Sequence, residues 1–259
     1  MNRINELFKK KPGKLLSIYF TAGYPGLEDT IPVARALQEA GADMLEIGFP
    51  FSDPLADGPV IQHSSEVALK NGMSLRKLFS QLKELREHVR IPVLLMGYLN
   101  PVFQYGMENF CASCAECGID GLILPDLPMT EFETQYQDLF RRHNLSNIFL
   151  VTPESREERI RRIDQLSDGF IYALSSSSTT GKQMDSTLQT EKYFEKLQSM
   201  NLRNPLMIGF GVNDRESFQK VVSYAHGAII GSAFIRLLDK EGARPEVIRR
   251  FIHSILGSN

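Results

Sequence analysis

The order of apolar and polar positions divides the chain into short apolar runs separated by longer amphipathic segments. The runs are rich in branched apolar side chains and do not alternate between apolar and polar residues. Strands that are covered on both faces have this composition, as in a parallel sheet flanked by helices. We predict strands at Leu15–Phe20, Met44–Gly48, Pro92–Met96, Gly121–Leu124, Ile148–Val151, Gly169–Leu174, Leu206–Gly209 and Gly227–Ile230.

The segments between these runs have the apolar spacing of amphipathic helices. Apolar residues share one side of Thr30–Glu39, and Gly41 follows as a helix stop. A last helix opens at Pro245 and repeats apolar positions every three or four residues. Eight strand–helix units in 259 residues average about 32 residues each, the usual size of such a unit.

The number and size of these units predict an α/β fold, a (β/α)8 TIM barrel formed by residues 1–259 as a single domain. Ile4, Leu7 and Phe8 predict an extra N-terminal helix that covers the lower end of the barrel. An open doubly wound sheet has the same periodicity and stays an alternative at this stage.

Composition then narrows the class of protein. Hydrophobic residues make up 42% of the chain and charged residues 23%, with a net charge of −2. This balance excludes a disordered chain and argues against a general nucleic-acid binder. No apolar run approaches the roughly 18 residues of a membrane span, and the first residues lack a signal-peptide core. We therefore predict a cytoplasmic globular protein that binds neither nucleic acid nor a membrane.

The three cysteines, Cys111, Cys114 and Cys117, have a spacing that resembles a metal or cluster site. They fall in a helical stretch, and the chain has no fourth cysteine. The spacing therefore favours packing side chains, and we predict no metal site.

One carboxylate lies inside a predicted strand. Glu46 is flanked by Leu45 and Ile47, and a charged group there is costly unless it is paired or used. Burial should raise its pKa, which suits a proton donor that works near neutral pH. A structural pair with a buried arginine or lysine is the alternative.

The loop after this strand carries Asp53 and Asp57 among three prolines and a glycine. Prolines stiffen such a loop, and a second carboxylate held across a pocket from Glu46 would complete an acid/base pair. Capping of turns or helices is the alternative use of these aspartates.

Glycine and small hydroxyl residues collect after the last three predicted strands. They occur at Ser175–Gly181, at Gly209–Gly211 and at Gly231–Ser232. Glycines let backbone N–H groups approach an anion, and a helix that starts at Ser232 would direct its positive end there. Barrel enzymes often hold a phosphate between the loops after strands seven and eight, so we predict a phosphate site. Tight turns without a ligand are the alternative, and Ser175–Gly181 also has the composition of a mobile lid.

The stretch from Glu46 to Gly58, EIGFPFSDPLADG, resembles the signature of the tryptophan synthase alpha chain family nearly residue for residue. The resemblance covers essentially the whole chain and includes, in family order, TAGYPG, LLMGYLNPVF, GLILPDLP, GFGV and IIGSAF. It implies cleavage of indole-3-glycerol phosphate to indole and glyceraldehyde 3-phosphate. It also implies an α2β2 complex, in which the beta chain holds pyridoxal phosphate and this chain has no cofactor.

The resemblance implies a role for each matching position. Glu46 matches the catalytic acid/base, Asp57 the carboxylate that binds the indole N–H, and Tyr172 the tyrosine beside the substrate glycerol. Asp53 and Thr180 match residues of the partner contact and of loop closure. The implied indole pocket comprises Tyr19, Met96, Tyr98, Ile123 and Ile229, and the implied phosphate site comprises Gly181, Gly209, Phe210, Gly211, Gly231 and Ser232.

Alternative functions exist for a barrel of this kind. A barrel aldolase that forms a Schiff base needs a strand lysine, and no predicted strand has an internal one. The predicted lid departs from the common family pattern at Ser176 and Ser178. A stand-alone indole-releasing lyase and a non-catalytic alpha-like chain that activates a beta partner are the alternatives to a coupled lyase.

Overall fold

The computed structural model describes residues 2–174, 186–209 and 211–257, apart from the side chains of residues 186–188. Within these ranges, nine parallel strands form one sheet in the order β5-β4-β3-β2-β1-β9-β8-β7-β6. The strands are β1 Leu15–Thr21, β2 Met44–Gly48, β3 Val93–Met96, β4 Gly121–Ile123, β5 Ser146–Asn147, β6 Leu150–Val151, β7 Ile171–Leu174, β8 Leu206–Gly209 and β9 Gly227–Ile230.

One helix precedes the first strand, and the other helices lie after strands and cover the outside of the sheet. The helices are α1 Arg3–Lys10, α2 Thr30–Ala40, α3 Pro59–Lys70, α4 Leu75–Leu82, α5 Leu85–His88, α6 Leu99–Tyr105, α7 Met107–Glu116, α8 Met129–Glu131, α9 Gln137–Arg142, α10 Glu157–Leu166, α11 Ser186–Ser199, α12 Arg215–Val221, α13 Ser232–Glu241 and α14 Pro245–Leu256, with a π-helical turn at Phe132–Tyr136 between α8 and α9.

The sheet closes on itself through residues 146–151. The Ile148 amide donates to the Leu122 carbonyl at 2.9 Å, and the Tyr172 amide donates to the Phe149 carbonyl at 3.0 Å. This segment therefore joins β4 on one side to β7 on the other. The predicted TIM barrel is confirmed, and the open doubly wound sheet is excluded.

The fifth strand differs from its prediction. We predicted one strand at Ile148–Val151, whereas the structure has two short segments, β5 and β6. Each segment pairs with a different neighbour, β5 with β4 and β6 with β7. The stagger of strands in a barrel explains this division, because the two neighbours overlap different halves of the segment.

The predicted N-terminal helix is confirmed as α1. The side chain of Ile4 is fully buried against the apolar interior of the barrel, where Leu7 and Phe8 also pack. The Asn2 side chain caps α1 by accepting a hydrogen bond from the Ile4 amide at 2.9 Å. The helix therefore covers the end of the barrel at which the strands begin.

The predicted end of α2, the predicted start of α14 and the predicted helical position of the first two cysteines agree with the structure. Gly41 ends α2 in the left-handed conformation, and Pro245 is the first residue of α14. Cys111 and Cys114 lie in α7, and both are buried in the apolar core with free thiols. Among the described residues, no helix is both long and apolar enough to cross a membrane.

Candidate active site

A pocket opens where the first strands of the barrel end. It encloses about 310 Å³, part of it open to solvent. Its wall is largely aromatic, and polar groups enter it at a few points. The lining residues are Tyr19, Phe49, Phe51, Pro54, Asp57, Ser65, Met96, Gly97, Tyr98 and Pro125. The position agrees with the end of the barrel at which such enzymes carry their chemistry.

Glu46 lies on the inner face of β2, directly beside Tyr19 of β1 in the parallel register. Its side chain is fully buried, and Oε1 accepts a hydrogen bond of 2.8 Å from the Ser17 hydroxyl. Oε2 is buried and has no hydrogen-bond partner among the described residues. The observed partner of this carboxyl is therefore a serine, and no arginine or lysine among the described residues pairs with it.

Burial raises the pKa of Glu46 to about 8, and the hydrogen bond from Ser17 opposes that rise. A carboxyl with this pKa keeps its proton at neutral pH, which is the property expected of a proton donor. Glu46 does not line the pocket itself. Its carboxyl lies in the barrel interior next to the pocket residue Tyr19.

Asp57 lies on the loop between β2 and α3, and it lines the pocket. Burial raises its pKa to about 6, while a hydrogen bond with the Tyr98 side chain lowers it. Gly58, not Asp57, is the N-cap residue of α3, so the aspartate does not cap this helix. At pH 7 and above the carboxylate is therefore mostly ionised and faces the pocket.

Tyr98 holds this loop in place. Its hydroxyl oxygen accepts a hydrogen bond of 3.0 Å from the Ala56 amide, and its ring packs against Phe51 with centroids 5.4 Å apart. The Gln62 side chain adds a hydrogen bond of 2.8 Å to the Asp57 carbonyl. The loop that was predicted to be stiff because of its prolines is therefore also held by two side chains, Tyr98 after β3 and Gln62 of α3.

The other residues of the predicted indole pocket lie in strands: Met96 and Ile123 end β3 and β4, and Ile229 is the third residue of β9. Met96 is the register partner of Ile123, and Gly209 is the partner of Ile229. Ile123, Ile229 and Tyr172 belong to the packed interior of the barrel, and Met96 packs against it. Tyr19, Met96 and Tyr98 therefore line the pocket, whereas Ile123, Tyr172 and Ile229 lie in the packed interior and do not line it.

Two glycines make room for the aromatic side chains. A Cβ on Gly48 would lie 2.6 Å from Tyr19 Cζ, and a Cβ on Gly209 would lie 2.7 Å from Tyr172 Cζ. Real Cβ atoms do not approach other atoms so closely. The rings of Tyr19 and Tyr172 therefore lie directly over backbone that only glycine leaves free.

Part of the predicted phosphate site lies beside this pocket. Gly209 ends β8, Gly211 has a φ of +82°, and Gly231 joins β9 to α13. Helix α13 begins at Ser232 as predicted, and its N-cap residue is Gly231, which has no side chain to cap the first turn. A Cβ on Gly231 would lie 3.4 Å from Tyr19 Cδ1, so this backbone adjoins the aromatic pocket. Gly181, Thr180 and Phe210, and the predicted lid Ser175–Gly181, lie outside the described residues.

Asp53 lies on the outer part of the β2–α3 loop. It is exposed, and its carboxylate accepts a hydrogen bond from the neighbouring Ser52 hydroxyl. Leu55, two residues further on, is 85% exposed. Asp53 does not line the pocket, so the structure separates it from Asp57.

Sequence reasoning missed Ser17 and several lining residues. Ser17 is a single hydroxyl residue in an apolar strand. It lies two residues before Tyr19, so both side chains point to the same face of β1, and this spacing was the sequence signal that could have revealed it. Phe49 and Phe51 of the β2–α3 loop and Ser65 of α3 also line the pocket, and no local sequence pattern reveals that.

The sequence profile of the tryptophan synthase alpha chain family matches residues 6–254. The chain belongs to this family. The tryptophan synthase alpha chain of Parabacteroides distasonis is 50% identical over 255 residues, which are 98% of this chain and 99% of that one. The alpha chain of Bacteroides fragilis is 53% identical over 250 residues, 96% and 95% of the two chains.

Solved structures of the tryptophan synthase alpha chain family have the same fold. The alpha subunit of Legionella pneumophila superposes with a TM-score of 0.88 at 34% identity, covering 98% of this chain and 97% of that one. A chain of tryptophan synthase from M. tuberculosis gives 0.86 at 29% identity, with 98% of both chains covered. The alpha subunit of this family catalyses the cleavage half-reaction of indole-3-glycerol phosphate, and this chain is an enzyme of that class.

Proposed function

We propose that this chain cleaves indole-3-glycerol phosphate to indole and glyceraldehyde 3-phosphate, with Glu46 as acid/base and Asp57 as the anion that stabilises the reacting indole. One observation carries the proposal. The Glu46 carboxyl is fully buried on the inner face of β2, beside the aromatic pocket, and its pKa is raised to about 8. A protonated carboxyl next to an aromatic pocket is the arrangement that protonation of an indole carbon requires.

The reaction can be written with these two groups alone. Glu46 donates its proton to indole C3, and the positive charge that develops on the indole nitrogen faces the ionised Asp57 carboxylate. The Glu46 carboxylate then takes the proton of the glycerol hydroxyl next to the scissile bond. The oxygen forms a C=O bond, the carbon–carbon bond breaks, and its electron pair returns to the indole ring. Glu46 ends the cycle protonated.

The resting position of Glu46 adds a requirement. Because its free oxygen is buried, the carboxyl must rotate, or a neighbouring side chain must move, before it reaches a substrate carbon. The proposed indole and glycerol contacts are Tyr19, Met96, Tyr98, Ile123, Tyr172 and Ile229, and the proposed phosphate contacts are Gly181, Gly209, Phe210, Gly211, Gly231 and Ser232.

The proposal includes an α2β2 complex in the cytoplasm, in which the beta chain binds pyridoxal phosphate and receives the indole. Asp53 and Thr180 are the proposed contacts that couple loop closure to this partner. The exposed Leu55 supports the assignment, because a large apolar side chain at the tip of a loop loses solvent contact when a partner binds.

Replacement of Glu46 by glutamine tests the proposal. Glutamine has nearly the same shape but cannot donate a proton as a carboxylic acid does, so Glu46→Gln should lower indole release about a hundred- to ten-thousandfold. Glu66→Gln is the matched control, since Glu66 is exposed on α3 and pairs with Lys70, another exposed residue of the same helix. Near-normal turnover of a folded Glu46→Gln chain would refute the assignment.

Addition of a beta subunit distinguishes the alternatives. A coupled lyase should release indole slowly alone and many-fold faster with the beta subunit. Equal rates in both conditions would indicate a stand-alone lyase. A chain that releases no indole but still stimulates the beta reaction would be the non-catalytic form, which the family assignment does not favour.

A further inference from the structure

The hydroxyl of Ser17 is the hydrogen-bond donor that reaches the Glu46 carboxyl. Ser17 lies on β1 and points into the barrel in phase with Tyr19, and its register partners are Met44 and Ile229. Both Ser17 and Glu46 have no exposed surface. The Oγ–Oε1 distance is 2.8 Å, an ordinary length for a hydrogen bond between a hydroxyl and a carboxyl oxygen.

This contact makes the two carboxyl oxygens unequal. Oε1 is engaged by Ser17, whereas Oε2 has no partner among the described residues. In the neutral acid, the oxygen that accepts a hydrogen bond is favoured as the carbonyl oxygen, so the proton stays on the other one. In the ionised form, the same hydrogen bond is stronger, because the acceptor is charged.

Among the described residues, the Glu46 charge acts on Tyr19 of β1 and Tyr172 of β7, and Asp57 on the β2–α3 loop acts on the same two tyrosines. Burial raises the pKa of both tyrosines well above 10, so they stay neutral from pH 6 to 9. Asp57, with a pKa of about 6, has lost most of its proton before Glu46 titrates. Ser17 is therefore the group whose contact with Glu46 depends most on whether the carboxyl is ionised.

We infer that Ser17 is a positioning residue for Glu46, whose hydroxyl holds Oε1, leaves the proton on Oε2 and favours the ionised carboxyl. Oε2 is then the oxygen that exchanges the proton with the substrate. The catalytic part of this role rests on the proposed function, whereas the hydrogen bond and its effect on protonation do not. Consistent with this, the Ser17 hydrogen bond lowers the pKa of Glu46 against the effect of burial.

A direct titration tests the inference without relying on turnover. The full chain is labelled with ¹³C at the glutamate side-chain carboxyl, and the Glu46 resonance is identified by its loss in Glu46→Gln. Ser17→Ala should raise the Glu46 midpoint by roughly half to one pH unit, because a hydrogen bond to a charged group is stronger than one to a neutral group. Ser17→Thr keeps the hydroxyl and should restore the original midpoint.

Ser64→Ala is the matched control. Ser64 is equally buried, but its hydroxyl pairs with Thr21 and the Ile61 carbonyl rather than with Glu46. This variant should leave the Glu46 midpoint unchanged. The pH profile of indole release should shift in Ser17→Ala by the same amount and direction as the NMR midpoint.

The two proposals fail in different ways. A Glu46 midpoint that is unchanged or lower in Ser17→Ala, or equally raised in Ser64→Ala, would overturn the role of Ser17. Indole release that survives Glu46→Gln would overturn the proposed function, and the NMR shift of Ser17→Ala would remain.

Discussion

At the scale of single residues, the pocket depends on two glycines as much as on the side chains that line it. Gly48 and Gly209 leave the space that the rings of Tyr19 and Tyr172 occupy. Tyr19 lines the pocket and is also the register neighbour of Glu46, so a displacement of its ring changes both the pocket wall and the surroundings of the carboxyl.

We therefore expect Gly48→Ala to impair the reaction more than the fold. The new methyl group would meet Tyr19 Cζ at 2.6 Å and force the ring to move. Misplacement of a reacting group by about 1 Å can cost about a hundredfold in rate, so kcat/KM should fall about ten- to a hundredfold. Steady-state kinetics with indole detection would measure this.

Gly13→Ala is the control for this substitution, since a Cβ on Gly13 meets no atom within 4 Å. Its kcat/KM should match that of the unmodified chain. If Gly48→Ala retained full kcat/KM, the close packing of Tyr19 on Gly48 would not matter for catalysis.

At the scale of elements, one cluster of packed side chains in the barrel interior connects the N-terminal helix α1 to the pocket end. Ile4 from α1 belongs to the same interior cluster as Ile123, Tyr172 and Ile229. The helix lies at the end where the strands begin, and the pocket lies at the end where they finish. The interior of the barrel is therefore a continuous solid support for the pocket floor.

This packing predicts a large stability effect for Ile4→Ala. Ile4 is fully buried, and removal of three carbon atoms from such a site typically costs about 2–5 kcal/mol in the free energy of unfolding. Lys10→Ala on the same helix is the control, because the Lys10 side chain is 79% exposed. Urea denaturation of both variants would measure the difference. Equal stability of the two would mean that α1 does not seal the barrel.

The sequence predicted most elements because their residues are buried on both faces. The bounds of β2, β8 and β9 agree with the predicted runs, since each run is apolar, apart from Glu46 in β2, up to a glycine or a loop. The division of the fifth strand into β5 and β6 could not be predicted, because it depends on which neighbour overlaps each half. Local periodicity carries no information about that overlap.

The candidate site also shows that local sequence patterns reveal single unusual residues but not their partners in space. Glu46 was recognisable from sequence because a carboxylate in an apolar strand is unusual, whereas Ser17, its partner, is chemically ordinary in the same setting. Tyr98 matched the family pattern, but its contacts with Phe51, Ala56 and Asp57 of the β2–α3 loop appear only in three dimensions. Pairwise contacts between distant segments were therefore the part that the sequence could not supply.

At the scale of the whole molecule, the buried carboxyl links stability to pH. The pKa of Glu46 is about 8 in the folded chain, against an ordinary value of 4.5. Between these values the folded chain binds a proton that the unfolded chain releases. The free energy of unfolding should therefore fall as pH rises through this window and level off above pH 8.

Calorimetry at pH 6.5 and pH 8 would measure this dependence. Most of the Asp57 contribution ends below this window, so Glu46 should account for a loss of roughly 2 kcal/mol, equivalent to a few degrees in Tm. Glu46→Gln should lose this part of the pH dependence, and Glu66→Gln should keep it. An identical pH dependence in all three chains would contradict a raised Glu46 pKa.

The pairing of β1 with β9 has a consequence for the synthesis of the chain. Leu15 pairs with Gly227 of β9, so the first strand to leave the ribosome receives its second neighbour only when the last of the described strands has emerged. Until then, one edge of β1 is open to other chains, and nascent chains on the same messenger carry the same open edge. Closure of the barrel therefore covers the open edge of β1 only at a late stage. The protein is most exposed to misassembly while the residues between β1 and β9 are being translated.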